Sequence, residues 1–129
     1  MSARPYDLGK MFDDARTMAS GFTVTTVTCT NSVDMGTADS DEMDPAEVRV
    51  DVVAGTTTGS NGTIQVVLQD SADNSSFATI LTGPVSTALG ANFNPYRMKV
   101  PPKHRRYLRT QYIVATNAFT GGTLHAGIV

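Results

Sequence analysis

The chain has no tryptophan, a single cysteine, two histidines, and only five phenylalanines and four tyrosines in 129 residues. Each shortage narrows what the protein can be. One cysteine, Cys29, excludes an intramolecular disulfide and a cysteine-based zinc site. Its neighbourhood, FTVTTVTCT, offers no basic group to lower a thiol pKa, so a small buried hydrophobe is the expected role. His104 and His125 have no histidine or cysteine partner at metal-ligand spacing, and His104 sits among cations that would repel a metal. Without tryptophan, a sugar-stacking platform is disfavoured. No run approaches the roughly 18 apolar residues of a membrane helix, and the first twenty residues carry acids where a secretory signal would carry an apolar core. Neither membrane insertion nor export by a leader is expected. The implied place of synthesis is a cytoplasm-like compartment.

Charge is sparse as well, at 17% of residues, and unevenly placed. Residues 1–64 hold four Lys or Arg against ten Asp or Glu, a balance of −6. Residues 65–129 hold six against two, a balance of +4. Either two loops are solvated with opposite sign, or opposite faces meet complementary neighbours in an assembly.

What is abundant is threonine, serine, glycine and valine, a composition of strands and turns. Val48, Val50 and Val52 alternate with Glu47, Arg49 and Asp51, and Ile64, Val66 and Leu68 repeat the same period. Tyr96, Met98 and Val100 alternate with Arg97 and Lys99. Residues 22–30, 31–36 and 77–82 read as further short strands, with Gly83-Pro84 ending the last. Residues 85–95 read as loop anchored by Val85 and Leu89. Near the end, Tyr107, Arg109, Gln111, Ile113 and Ala115 face away from Leu108, Thr110, Tyr112 and Val114. Both faces carry apolar residues, so the buried one is left open. Gly121-Gly122 reads as the turn of a closing hairpin whose second strand includes Ile128. The first twenty residues are the least strand-like. Leu8, Met11, Phe12, Ala15 and Met18 fall near helical spacing, so residues 1–21 are expected to form a short helix or an extended arm. The rest, 22–129, forms one antiparallel β-sandwich of about seven or eight strands, an all-β fold.

No nucleophile elbow, phosphate-binding loop or dinucleotide fingerprint is present, and no serine or threonine is paired with a base. An enzyme is not expected, nor a cofactor. The acidic run Asp39, Asp41, Glu42 and Asp44 lacks the mid-loop glycine and late bidentate glutamate of a calcium loop, so a solvated loop is expected. The basic stretch of Arg97, Lys99, Lys103, Arg105, Arg106 and Arg109 interleaves with tyrosines, as nucleic-acid readers do. A pI near 5.5 speaks against that partner and for a protein-facing patch or ion pairs to the acidic half.

Val33-Asp34-Met35-Gly36, the valine strand, the run Thr-Ile-Gln-Val-Val-Leu-Gln-Asp-Ser-Ala-Asp (63–73), Pro101-Pro102, Arg106-Tyr107-Leu108-Arg109, Tyr112, Gly121-Gly122 and Ala126-Gly127-Ile128-Val129 follow one another in a telling order. In that order residues 31–129 resemble the capsid cement, or decoration, proteins of short-tailed bacteriophages. The first thirty residues and the acidic loop depart from the family pattern. The resemblance implies a jelly-roll sandwich without activity or cofactor. It would sit on the outer surface of an icosahedral virion assembled in the host cytoplasm, and bridge neighbouring subunits of the major capsid protein. Its partners would be that capsid protein and itself, as a dimer or trimer, with no nucleic acid or membrane. The six basic residues, the four acidic ones and Phe12 of the N-terminal segment are the expected contacts. The alternative is a β-sandwich binding module of a phage tail or cell-surface protein that recognises a glycan or receptor.

Overall fold

A computed structural model describes residues 11–35, 47–57, 62–87, 93–101 and 104–128. Nine strands follow in order: β1 (Met11–Thr17), β2 (Thr26–Thr28), β3 (Val33–Asp34), β4 (Glu47–Thr57), β5 (Thr63–Ser71), β6 (Ala78–Ser86), β7 (Phe93–Lys99), β8 (Tyr107–Ala115) and β9 (Phe119–Ile128). They form two sheets. The first runs β1-β9-β4-β7; the second runs β2-β8-β5-β6, with β3 continuing the line of β2 along β8. Every pairing is antiparallel. The pairs nest: β1 with β9, β2 and β3 with β8, β4 with β7, β5 with β6, alternating between sheets. A long hairpin wound across two sheets in this way is the jelly roll.

The alternating strands close a core between the sheets. Val48, Val50 and Val52 meet Ile64, Val66 and Leu68, and β8 contributes Leu108, Tyr112 and Val114. Leu124, Ala126 and Ile128 of β9 complete it from the other sheet. Each such large side chain contributes about 1.5–3 kcal/mol by leaving water. The inward face of β8 is therefore the Leu108 face. Phe22 stacks on Tyr112 with ring centres 6.0 Å apart and meets Phe119 edge-on at 6.5 Å, closing one end of the core.

Several expectations are corrected. Residues 11–17 are neither helix nor free arm; they form strand β1, paired with β9 within the sandwich. The helical spacing was produced by irregular pairing. The β1–β9 register shifts twice, and Ala15 takes a left-handed φ of 53°, so burial loses its period of two. Phe12, expected to touch a partner, is wholly buried in the core. The closing hairpin is not a hairpin either: β8 lies in the second sheet and β9 in the first. The chain turns between them at residues 116–118, where Thr116 has φ 71°, and Gly121-Gly122 lie inside β9. At Gly122 a φ of 113° and the backbone of Gly55, 2.8 Å from where a Cβ would stand, leave room only for glycine.

Gly83-Pro84 does not end β6, which continues through a register shift to Ser86. Val85, expected as an anchor, is exposed, as is Met98; Leu89, the other expected anchor, lies outside the described residues. Of residues 22–30, only Thr26–Thr28 pair as strand. The sheet edges are blunted. Pro95 lies in β7, Pro84 in β6, irregular pairing bends β1, and β2 is three residues long.

Candidate interaction surfaces

The basic stretch contiguous in sequence is divided by the fold. Arg97 and Lys99 lie on β7, opposite Arg49 and Glu47 of β4, and face outward from the first sheet. Arg109 lies on β8 and faces outward from the second. Strands β7 and β8 lie in different sheets, so these cations point to opposite sides of the molecule. Lys103 and the acidic residues Asp39, Asp41, Glu42 and Asp44 lie outside the described residues.

Most of the described cations already have partners. Arg105 grips Asp70: its Nε and Nη2 donate to Oδ1 at 3.1 and 2.9 Å, Nη2 donates to the Asp70 carbonyl at 2.9 Å, and its backbone N–H donates to Oδ2 at 2.8 Å. Asp70 is buried, so this pair is structural. The carboxylate in turn holds the Arg105 guanidinium above its usual pKa, chiefly through that hydrogen bond. Arg106 makes a fork with Asp34 at 2.8 and 2.9 Å and lies over the Tyr107 ring at 5.2 Å, but both members are about half exposed. Arg109 donates to Gln69 Oε1 at 2.7 Å with its guanidinium 4.1 Å from the Phe77 ring centre. Arg97 donates to Glu47 at 3.2 Å. Part of the charge difference between the chain's halves is therefore paired within the fold, since Asp34 and Glu47 of the acidic half take Arg106 and Arg97 of the basic half.

Nearby, Asp73 organises the turn after β5. The N–H groups of Ser76 and Ser75 and the Ser71 hydroxyl donate to it, and those bonds pull its pKa down to about 2. His104 is buried with Nδ1 2.8 Å from the Arg105 carbonyl, which makes Nδ1 the donor. Cys29 is buried too: its thiol donates to the Asn31 carbonyl at 3.1 Å, and burial pushes its pKa up. No group of three or more acidic, histidine or cysteine side chains stands at metal-binding geometry among the described residues.

The two outer faces differ in kind. The first sheet shows a lattice of charge: Glu47, Arg49 and Asp51 along β4, Lys99 and Arg97 beside them on β7, and His125 opposite Asp51 on β9. Arg49 Nε lies 2.9 Å from Asp51 Oδ2 but off the line of a hydrogen bond, an ion pair only. The second sheet is almost free of charge. Its register sets Thr26, Ile113, Gln65 and Val85 in one row, and Thr28, Gln111, Val67 and Thr82 in the next. Gln69 and Thr79 follow beside Arg109, the one cation of these rows. Three glutamine amides lie across the strands: Gln111 Nε2 donates to Thr28 Oγ1 at 3.1 Å, Gln69 Nε2 to Thr79 Oγ1 at 3.1 Å, and Gln65 Nε2 to the Gly83 carbonyl at 3.0 Å. Val67, on this outer side, is buried yet stands outside the core cluster, covered by these neighbours. Reading the sequence for charge missed this face. Its signal was the absence of charge at every second position of 63–71 and 111–115.

The winding of the strands over two sheets defines the chain as a jelly-roll β-sandwich with two unlike outer faces. It belongs to the Bbp16 family, whose model matches residues 18–128. No curated protein matches the chain.

Proposed function

We propose that this chain is a structural virion protein that binds the outside of an icosahedral phage capsid and ties neighbouring major capsid subunits together. The observation that carries the reading is the closing motif, Arg106-Tyr107-Leu108-Arg109 through Ala126-Gly127-Ile128, which resembles that of phage cement proteins. In this fold the motif supplies β8 and β9, each an interior strand of its sheet. Membership of the Bbp16 family over most of the chain and the jelly-roll winding support the same reading. A small rigid sandwich suits the task because load between capsomers is shared over many copies. Each copy then needs only moderate affinity once the shell presents an array of sites.

The test is direct. Purified protein is mixed with undecorated shells of the virus that encodes it. Saturable binding at hundreds of copies per shell, with a higher shell melting temperature, is the expected result. No binding, or equal heat resistance with and without the protein, would sink the proposal. Glycan-array binding without any shell binding would favour a receptor-binding module instead.

A further inference from the structure

We infer that the surface seated on the shell is the outer face of the β2-β8-β5-β6 sheet, whose central rows carry no charge and where Arg109 is the one cation, and that Arg97 and Lys99 on the opposite face are not the contact. The inference rests on the reading above and names the part of the molecule that does the work.

Desolvation separates the two faces. Docking the first sheet would strip water from Glu47, Arg49, Asp51, Arg97 and Lys99, and a buried ion is expensive unless its new partners are well placed. Docking the second sheet strips water mainly from threonine methyls, Val85, Ile113 and glutamine amides. Donors of those amides are already used laterally, at 3.0–3.1 Å. Charge depletion at the centre with charge at the rim is the usual anatomy of a protein interface, and Arg109 stands at that rim. Strand addition is a poor alternative, because the edges are interrupted by Pro84 in β6, by Pro95 in β7 and by the irregular pairing of β1.

Area and charge together choose the occupant. Three strands of about six residues and β2 of three, at about 4.8 Å spacing, present roughly 300 Å², less than half of the roughly 800 Å² per partner that a stand-alone complex uses. A face of that size is too small to hold a free dimer by itself, but it is sufficient where a shell repeats the site many times. The matching shell surface is protein that is itself uncharged, exposing methyl, hydroxyl and amide groups.

Attachment to undecorated shells should therefore vary less than about threefold in apparent affinity as salt is raised over the range that screens surface ion pairs. Thr28→Glu and Val85→Lys, opposite in sign and both at exposed positions, should each weaken attachment by about tenfold or more while the free protein melts as before. Arg97→Glu and Lys99→Glu should attach like the unmodified protein. Loss of attachment with salt, or loss in the β7 variants with Thr28→Glu and Val85→Lys unaffected, overturns the inference while leaving the shell reading intact. A dimer of the free protein in sedimentation that Thr28→Glu dissolves makes the occupant a second copy, and overturns it too. If the unmodified protein binds no shell, the functional reading itself has failed.

Discussion

Tyr112, at the centre of the second sheet, donates its hydroxyl hydrogen to Asp13 Oδ2 on β1 of the first sheet at 2.6 Å, a bond across the sandwich between residues 99 apart in sequence. Both are buried. The other oxygen of Asp13 accepts from the Thr30 N–H at 3.0 Å and the Thr30 hydroxyl at 2.6 Å, with Arg16 Nη1 3.3 Å away. Thr110 donates to the Tyr112 oxygen at 2.9 Å. One carboxylate thus fastens the edge strand β1 to the crossing between β2 and β3 and to β8.

Tyr112→Phe keeps the ring that stacks on Phe22 but leaves Asp13 Oδ2 without that donor. The expected cost is about 2 kcal/mol, the penalty for a charged buried acceptor losing its hydrogen bond. Urea unfolding of the two proteins checks it; equal midpoints would mean that Oδ2 finds another donor.

Stability should fall in alkali. Burial pushes Tyr96 up to about 12 and, with the nearby Asp13 carboxylate, raises Tyr112 well above its usual value. An unfolded tyrosine releases its proton near pH 10, so above that pH the unfolded state binds fewer protons than the folded one. Stability is thus full below about pH 10 and drains away towards about pH 12 and beyond. Denaturant midpoints across this window, with Tyr96→Phe flattening the slope, are the measurement.

Arg105→Glu should unfold the protein far more readily than Arg106→Glu. The first sets a carboxylate against the buried Asp70 and removes its side-chain donors, while the second breaks a pair that water screens. Thermal melts of both variants decide it. A double reversal is thus no clean probe of attachment, because Arg105 holds the fold.

Gly83→Ala should cost about 1–3 kcal/mol by overpacking. A Cβ there would drive into the Tyr96 ring and stand 2.9 Å from the Val66 carbonyl oxygen. Tyr96→Val removes the ring, so the same glycine change should cost less in that background. Additive costs would show that the backbone contact dominates.

Much of this was legible in the residues. Strands β4 and β5 show inward valine, isoleucine and leucine at every second position, because a sheet with one buried face has a period of two; β8 shows the period but, with Ile113 and Ala115 on its outer face, not which face is buried. β1 was not legible, since irregular pairing resets the phase and left Met11, Phe12 and Asp13 all buried in a row. The basic stretch was legible as charge but not as a surface.

By itself, then, the sequence determined an all-β sandwich, an inert buried cysteine and the inward face of β4 and β5, all set by local periodicity and composition. Only the tertiary structure decided that the last two strands belong to different sheets, that Arg105 and Arg106 are bound to Asp70 and Asp34, and that the sparsely charged outer sides of β2, β8, β5 and β6 lie side by side. Those facts depend on pairings between residues 35 to 83 positions apart, which local pattern does not encode.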